Sequence, residues 1–268
     1  MRFQDVLSGK KYDLGHPLDR GTPVWPSHPP FFMTLNNRHG DVPDASNCGY
    51  GSANEVIVTS GHHSTHIDAL GHISSHGALY GDVAAADVQR GRGQQRGLVS
   101  HGVETIEPIV RRGIMLDIPL LKGKSHLEAA EPVTEGDLQA AAGKQDVSVQ
   151  AGDCVLIRTG WSRFYGDKNV YLAGGGGLPG PDITAAKWLA GKGIFLTGSD
   201  TIVYEQMVPD GPGLPVHQEL IARCGIHLIE CLNLEELAAD QVYEFLFVCI
   251  PLKITGATGS PVRPVAIV

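Results

Sequence analysis

The chain has 268 residues, of which 42% are hydrophobic and 19% are charged, so it can bury a substantial core and lacks the composition of a disordered protein. Its formal net charge of −8 argues against nucleic acid or an anionic membrane as the main partner, because both bind basic surfaces. No apolar run approaches the roughly 20 residues needed to cross a bilayer, and the N-terminal residues lack the apolar region of a secretory signal.

Predicted strands and helices alternate along the chain. Short runs of β-branched and apolar residues predict strands over residues 54–60, 114–118, 154–158, 193–197, 226–230 and 243–250. Capping residues and terminal glycines predict helices over residues 134–142, 181–189 and 215–224. The first predicted strand leads directly into a cluster of histidines.

These elements predict an α/β fold in which a few helices flank a mixed β-sheet or a barrel-like β core. With 34 glycines and 17 prolines, the chain should contain many tight turns and long loops. No internal repeat or linker is visible, so we expect one domain over residues 1–268. The five cysteines, including Cys48, show no CxxC spacing, which predicts reduced thiols and a cytoplasmic protein.

The stretch GHHSTHIDALGH, residues 61–72, concentrates histidine. Of the 12 histidines in the chain, five fall between His62 and His76, the others being His63, His66 and His72. Fully extended, the seven residues from 62 to 68 would span about 20 Å, too far for side chains that share one metal ion. The segment must therefore turn back, and one helical turn would place His62 and His66 on the same side, with Asp68 approaching from a bend.

Imidazole and carboxylate donors together suit Zn²⁺ or Mn²⁺, and the absence of a nearby cysteine argues against a closed structural zinc site. A site with three protein ligands keeps one position for water, which the metal acidifies. A further histidine six residues after His66 would serve as a general base. Taken alone, the pattern leaves chance clustering as an alternative, and His63 is expected to point away from the ligands.

The same stretch resembles the signature HxGTHxDxPxH of the cyclase-like metal-dependent hydrolase family, which includes bacterial kynurenine formamidases and isatin hydrolases. Ser64 stands where the family has glycine, and Leu70 where it has proline; both differences affect backbone shape rather than donor atoms. The similarity continues in DLGHPLDRGTPVWPSHP, CVLIRTGW, GIFLTGSDT, PVHQELIARCGIHLIECLNLEEL and KITGATGSPVRPVAIV. The chain is therefore identified as a member of this family, whose core is of the swivelling β/β/α type.

The resemblance implies a metal centre and a reaction. The implied metal ligands are His62, His66, Asp68, His217 and Glu230. Asp68 would bridge two ions in two-metal relatives, so the cofactor is one or two divalent ions, Zn or Mn. His72 matches the family's general base, with a role as a further ligand of the first metal as the alternative. Activated water would attack an amide carbonyl, His72 would transfer the proton, and the Thr65 hydroxyl or a backbone N–H would assist the oxyanion.

The segment PVWPSHPPFF is too rich in proline for a regular helix or a central strand, and it carries Trp25, Phe31 and Phe32. By resemblance it belongs to an N-terminal arm of about 45 residues close to the active site of its own or a neighbouring subunit. A plain hydrophobic contact with the core is the alternative. We expect a small aromatic or cyclic amide substrate, contacts to it from Thr65 and His76 as well, and a homodimer or homotetramer.

Other positions are interpreted as structural. His28 is taken as an ordinary loop histidine, Asp200 as a supporting residue, and Arg263 as a salt-bridge residue rather than a clamp for a substrate carboxylate. The four glycines in YLAGGGGLPG lack the Lys-Ser/Thr that follows a phosphate-binding loop, and they predict a mobile loop, with a lid as one option.

Several activities remain open on the sequence. The first is hydrolysis of a linear or cyclic amide on a small aromatic compound. The chain length favours isatin-type substrates, and Glu230 favours the two-metal arrangement of the formamidases. Hydrolysis of a lactone or another cyclic substrate is an alternative, as is a non-catalytic metal-binding module. A cupin-like oxygenase is excluded because the chain lacks an HxH spacing followed by Glu.

Overall fold

The computed structural model describes residues 3–41, 49–89, 96–173 and 176–268. Cys48 and two glycines of the predicted loop, Gly174 and Gly175, lie outside the described residues.

Within the described ranges the strands are β1 (Lys11–Asp13), β2 (Phe32–Asn37), β3 (Asn54–Val58), β4 (His66–Asp68), β5 (Ala78–Leu79), β6 (Val83–Ala84), β7 (Ile109–Asp117), β8 (Pro132–Val133), β9 (Cys154–Arg158), β10 (Gly180–Pro181), β11 (Leu196–Ser199), β12 (His227–Glu230), β13 (Glu244–Cys249), β14 (Gly259–Pro261) and β15 (Val265–Ile267). The helices are α1 (Phe3–Ser8), α2 (Ala85–Val88), α3 (Ile118–Lys122), α4 (Glu135–Lys144), α5 (Lys168–Tyr171), α6 (Ile183–Gly191), α7 (Pro215–His217) and α8 (Glu235–Ala239). Short 3₁₀ turns cover Val103–Thr105 and Trp161–Phe164, and a π-helix covers Gln218–Arg223. None of the helices in these ranges has both the length and the apolar character needed to cross a membrane.

The largest sheet in the described part of the chain joins nine strands in the order β1-β15-β13-β7-β9-β11-β12-β4-β14. The four strands β7, β9, β11 and β12 are parallel, and the strands on either side of them pair antiparallel. The sheet is therefore mixed and carries few helices, which confirms the predicted α/β fold.

The central strands are buried on both faces. Ile114 and Leu116 of β7 point to one face, where α4, α6 and the π-helix cover them, whereas Met115 points to the other. In β9, Val155 and Leu156 alternate between the two faces in the same way. Continuous apolar runs are expected for parallel strands covered on both sides, so these strands form the rigid support of the site.

Local capping signals place the helices correctly. The Thr134 hydroxyl accepts a hydrogen bond from the Asp137 N–H (3.1 Å), and the Asp137 carboxylate accepts one from the Thr134 N–H (2.9 Å), which confirms the capping box. The helix predicted over residues 215–224 starts as α7 and continues as the π-helix. The strand predicted at Gly193 begins later, at Leu196, because Gly193 has a φ of 68° and belongs to the turn that closes α6.

Asp200 and Arg263 have structural roles, as predicted. The fully buried Asp200 carboxylate accepts hydrogen bonds from the backbone N–H groups of Thr159 and Gly160, each at 2.8 Å, and so joins the ends of β9 and β11. Arg263 forms an exposed ion pair with Asp13 at 2.6 Å.

Strands β2 and β3 form a separate antiparallel ribbon, which confirms the strand predicted at residue 54. Every residue of β3 is exposed, and so are five of the six residues of β2. The large apolar side chains of this ribbon are 41–54% exposed: Phe32, Met33, Leu35, Val56, Ile57 and Val58. An isolated two-stranded ribbon is only marginally stable in water, and this one exposes an unusually apolar surface.

Candidate metal centre

The histidine-rich segment folds back through consecutive bends over residues 61–65. The expected helical turn is therefore wrong. Ser64 produces the reversal, since its φ of 57° lies in the left-handed region that glycine adopts most easily. Its hydroxyl lies 2.8 Å from that of Tyr165, which helps to hold a serine in this conformation. Ser64 thus adopts a backbone conformation that is open to glycine, the residue expected here from the resemblance.

Strand pairing brings the donor side chains together. His66 and Asp68 are two residues apart in β4, so their side chains point to the same face. Glu230 in β12 is the cross-strand partner of His66, and His66 Nε2 lies 3.3 Å from Glu230 Oε2. His62 enters from the bends and His217 from the end of α7, with His62 Nδ1 2.7 Å from Asp68 Oδ1 and His217 Nε2 3.1 Å from Glu230 Oε1.

The donor cluster consists of His62, His66, Asp68, His217 and Glu230. Two of its histidines have one ring nitrogen hydrogen-bonded to a partner outside the cluster. His66 Nδ1 donates to the carbonyl oxygen of Ser64 at 2.8 Å, which leaves Nε2 to face the carboxylates. His62 Nε2 lies 2.8 Å from the Thr258 hydroxyl, which leaves Nδ1 to face Asp68. Histidine ligands of metals are typically held in this way, because the outer partner fixes the tautomer and the ring orientation.

His217 is held by a buried carboxylate. Its Nδ1 donates to Glu205 Oε1 at 2.6 Å, and the same carboxylate accepts the backbone N–H groups of Val216 (3.1 Å) and His217 (2.8 Å). His217 Nε2 is thereby directed at Glu230 and lies 3.8 Å from Asp68 Oδ2. This arrangement of carboxylate and histidine raises the basicity of a ligand nitrogen.

Asp68 is shared by two groups of potential metal donors. One group is His62, Asp68 and His72, and the other is His66, Asp68 and Glu230; the donor atoms within each group lie within 4.8 Å of one another. Asp68 is 0% exposed, and its Oδ2 has no hydrogen-bond partner among the residues that the structure describes. A buried carboxylate oxygen without a partner is costly, so the donor set fits one or two divalent cations.

The pKa values of His66 and His217 indicate which protons a bound cation would displace. Burial lowers the pKa of His66, but the hydrogen bond to Glu230 and the charge of Asp68 outweigh it and raise that pKa to about 9. Burial likewise lowers the pKa of His217, and hydrogen bonds to Glu205 and Glu230 raise it to about 10. Both imidazoles must lose a proton to bind a metal, so binding releases protons and weakens as the pH falls.

His72 lies against the cluster without belonging to the strands. Its ring stacks on that of His62 with centroids 4.0 Å apart, and its backbone N–H donates to the Ala69 carbonyl at 3.0 Å. Burial, which outweighs the attraction of Asp68, lowers the pKa of His72 to about 4. The imidazole is therefore neutral at pH 7 and able to accept a proton.

The cluster forms the floor of a cavity of about 370 Å³, within the range of small-molecule sites. The apolar part of the wall consists of Trp25, Ile73, Ile202, Val203, Met207 and Leu214. The remaining wall includes the donor histidines and Glu230, so both polar and apolar side chains line the cavity.

Only one of the three aromatic residues predicted to contact substrate lines this cavity. Trp25 is part of the wall. Phe31 lies outside it, with its ring edge-on to the buried ring of His63 at 6.1 Å. Phe32 starts the exposed ribbon and is 44% exposed, so a contact with substrate in a neighbouring subunit stays a prediction.

Thr65 and His76 also lie outside the cavity wall. The Thr65 hydroxyl donates to the Cys231 carbonyl at 2.6 Å and accepts the His16 backbone N–H at 2.9 Å, so its proton is already engaged. His76 has a φ of 51° in the turn before β5, where it shapes the loop. Direct contacts of these two residues with substrate remain predictions.

Three residues of the site were not found from the sequence. His28 lines the cavity, and its ring centroid lies 5.6 Å from that of His62, which corrects its interpretation as an ordinary loop histidine. Glu205 carried a weak signal, an acidic residue in the apolar run TIVYEQM. Thr258 has no such signal in the sequence, because it lies 196 residues from His62 and comes next to it only when the strands of the sheet have paired.

The family model described as "Putative cyclase" matches residues 12–206. A solved structure described as a novel cyclase superposes with a TM-score of 0.88 and is 31% identical, covering 99% of this chain and 89% of that one. Isatin hydrolase A from Ralstonia solanacearum superposes with a TM-score of 0.70 at 25% identity, covering 97% of this chain and 92% of that one.

The curated relatives include two kinds of enzyme. The isatin hydrolase of Roseibium aggregatum is 32% identical over 147 residues, which span 52% of this chain and 55% of that relative. The kynurenine formamidase of Geobacillus thermodenitrificans is 27% identical over 257 residues, 94% of each chain. Both names denote hydrolases. Because the family model covers most of the sequence, the chain belongs to this cyclase family.

Proposed function

We propose that the protein is a hydrolase that depends on Zn or Mn and cleaves a C–N amide bond in a small aromatic compound. The substrate is a cyclic amide of the isatin type or an N-formyl amide of the kynurenine type. The proposed metal ligands are His62, His66, Asp68, His217 and Glu230. The observation that carries the proposal is Asp68, shared by two donor groups on the floor of an apolar cavity. The names of the relatives support the choice of amides.

A divalent cation bound here supplies Lewis acidity, which lowers the pKa of a water molecule and polarises an amide carbonyl. We propose that His72 takes the proton of the attacking water. The water oxygen bonds to the carbonyl carbon, the C–N bond breaks, and His72 returns the proton to the leaving nitrogen. The neutral state of the buried His72 ring at pH 7 supports this role. A carboxylic acid and an amine are the products.

The apolar wall binds the aromatic part of the substrate. Trp25 and the aliphatic side chains of the wall offer a surface on which a flat ring can pack, in the same cavity as the donor cluster. The cavity of about 370 Å³ accommodates a bicyclic compound as well as a substituted benzene ring.

The test is hydrolysis by protein that has been stripped with a chelator and reloaded with Zn²⁺ or Mn²⁺, with metal counted per chain. We expect one or two ions and metal-dependent cleavage of isatin or N-formylkynurenine. Cleavage of a lactone instead of either amide would establish the alternative substrate class. Metal-loaded protein that cleaves none of these compounds would contradict the proposal in favour of a non-catalytic metal-binding module.

We further propose that the protein is a homodimer or homotetramer in which the ribbon of β2 and β3 packs on a second copy. The exposed apolar side chains of both strands support this. The ribbon follows the segment that carries Trp25 and precedes the bends that carry His62, so a neighbouring copy would lie close to the cavity.

A further inference from the structure

We propose that Gly180 is a positioning residue of the metal centre. Because it has no side chain, strand β10 can lie directly against the backbone on both sides of Glu205, the residue that holds the imidazole of His217. This inference rests on the proposed function only in taking His217 as a metal ligand. It gives a role to the end of the glycine-rich stretch YLAGGGGLPG, which is not a phosphate-binding loop.

The end of this stretch is buried and paired on both sides. Residues 177–180 are all buried, and β10 pairs in parallel with β8 on one side. On the other side, the backbones of Leu178 and Met207 exchange hydrogen bonds of 3.0 and 2.9 Å. The Gln206 backbone N–H also donates to the Pro181 carbonyl at 3.0 Å. These bonds fix β10 between β8 and the segment that carries Glu205.

The distance between β10 and that segment leaves no room for a side chain at position 180. A Cβ on Gly180 would lie 2.7 Å from the carbonyl carbon of Glu205 and 2.9 Å from the backbone nitrogen of Gln206, and it would overlap the carbonyl oxygen of Tyr204. These atoms belong to the two peptide groups that flank Glu205, and backbone atoms cannot rotate away as the end of a side chain can. Gly180 is not among the glycines with a left-handed φ, so the close approach alone requires glycine here.

An added methyl group would therefore displace Glu205. Carbon atoms in contact are about 3.5–4.0 Å apart, so the Glu205 backbone would have to move away from β10 by roughly 1 Å. The Glu205 carboxylate is 1% exposed and accepts hydrogen bonds from His217 Nδ1 at 2.6 Å and from the Val216 N–H at 3.1 Å. Such bonds rarely exceed about 3.2 Å, so a movement of this size is enough to break one of them. His217 would then lack the partner that directs its Nε2 at Glu230.

A side-chain contact anchors the same segment independently. Gln206 Nε2 donates to the Ala130 carbonyl at 2.6 Å, just before β8 in the chain. Removing this bond would loosen the residue next to Glu205 without inserting an atom. Gln206 therefore offers a milder perturbation of the same support.

The experiment measures the Zn²⁺ affinity of the chelator-stripped full chain by competition with a chromophoric chelator, together with the Tm of each metal-free protein. The variants are Gly180→Ala, Gln206→Ala, Glu205→Gln and the two double variants that combine Glu205→Gln with each of the others. Gly123→Ala is the matched control. It strains the left-handed C-cap of α3, where φ is 67°, and apart from its chain neighbours a Cβ there would meet nothing within 4 Å.

We expect Gly180→Ala to weaken binding of the ion at His217 about tenfold or more, as for loss of the partner that orients a ligand histidine. Gln206→Ala should weaken it about two- to tenfold, the range for one neutral hydrogen bond. Gly123→Ala should lower the Tm and leave the affinity unchanged. In the Glu205→Gln background, each of the first two changes should add less than about twofold, because the residue through which they act has already been altered.

Wild-type affinity in both Gly180→Ala and Gln206→Ala, or effects that multiply in full with that of Glu205→Gln, would overturn the positioning role while leaving the proposed function intact. If Gly180→Ala does not fold, Gln206→Ala and its double variant carry the test. A wild type that shows these effects on Zn²⁺ affinity but cleaves neither isatin nor N-formylkynurenine would overturn the proposed function and leave the positioning role standing. A wild type that binds neither Zn²⁺ nor Mn²⁺ would overturn both.

Discussion

Replacing Glu205 by glutamine should selectively weaken metal binding by His217, the proposed ligand that Glu205 holds. The carboxylate is 1% exposed and accepts three hydrogen bonds, of which the one from His217 Nδ1 is the shortest at 2.6 Å. Glutamine has nearly the same shape but only one acceptor oxygen, so at least one N–H donor would face an NH₂ group.

The size of the effect follows from these contacts. A hydrogen bond to a charged acceptor contributes about 1.5–3 kcal/mol, and loss of the outer partner of a ligand histidine typically lowers metal affinity about 10–100-fold. We therefore expect Glu205→Gln to weaken binding of the ion that His217 holds by about 10–100-fold. Where a second ion binds at His62, its binding step should change little.

The assay is titration of chelator-stripped protein with Zn²⁺ or Mn²⁺ in competition with a chromophoric chelator, which yields stepwise dissociation constants. Thr258→Val is the matched variant, because it removes the hydroxyl 2.8 Å from His62 Nε2 and should weaken the other step. Thermal unfolding of the metal-free variants controls for general destabilisation. If Glu205→Gln binds the metal as tightly as the wild type, or weakens a step at His62 equally, the role of Glu205 in holding His217 as a ligand would be refuted.

Three further predictions concern the base, the oligomer and the backbone. His72→Ala should retain metal and lose most activity, whereas His66→Ala should lose both; near-normal turnover of His72→Ala in the amide assay would contradict its role as base. Ile57→Lys, on the exposed ribbon, should shift the protein to the monomer in light scattering, and an unchanged mass would exclude the ribbon as the contact. Ser64→Gly should be more stable to denaturant than Ser64→Ala by about 1 kcal/mol, because only alanine pays for the left-handed φ of 57°; equal stabilities would contradict this.

Short-range chemistry accounts for the parts of the fold that could be predicted. Strand β9 has the predicted bounds, Cys154–Arg158, because a tight turn precedes a run of apolar residues and a glycine follows it closely. The capping box of Thr134 and Asp137 needs only four residues. In contrast, the order of the strands in the sheet depends on pairing across the whole chain and could be given only as a class, a mixed sheet.

The donor set could be proposed from residue types and resemblance, but its geometry could not. The helical turn expected between His62 and His66 is wrong, because the chain reverses at Ser64. A serine in a sequence does not indicate the left-handed φ that this residue adopts. Glu205 and Thr258 could not be found in the motif either, since they bond histidines 12 and 196 residues away. Their roles become visible only once the strands have paired.

The histidine motif is incomplete without the C-terminal strand β14. Gly259 is the cross-strand partner of Asp68, and a Cβ on Gly259 would lie 2.6 Å from Cε1 of His62. A Cβ on Gly61 would lie 2.6 Å from the Gly259 carbonyl oxygen, so both glycines are needed for the two backbones to approach this closely. That approach brings the Thr258 hydroxyl to His62 Nε2 and turns Nδ1 toward Asp68. The orientation of the first donor in the motif is thus determined by the last strands of the sheet, which is why a local signature can name the donors and still leave their geometry undetermined.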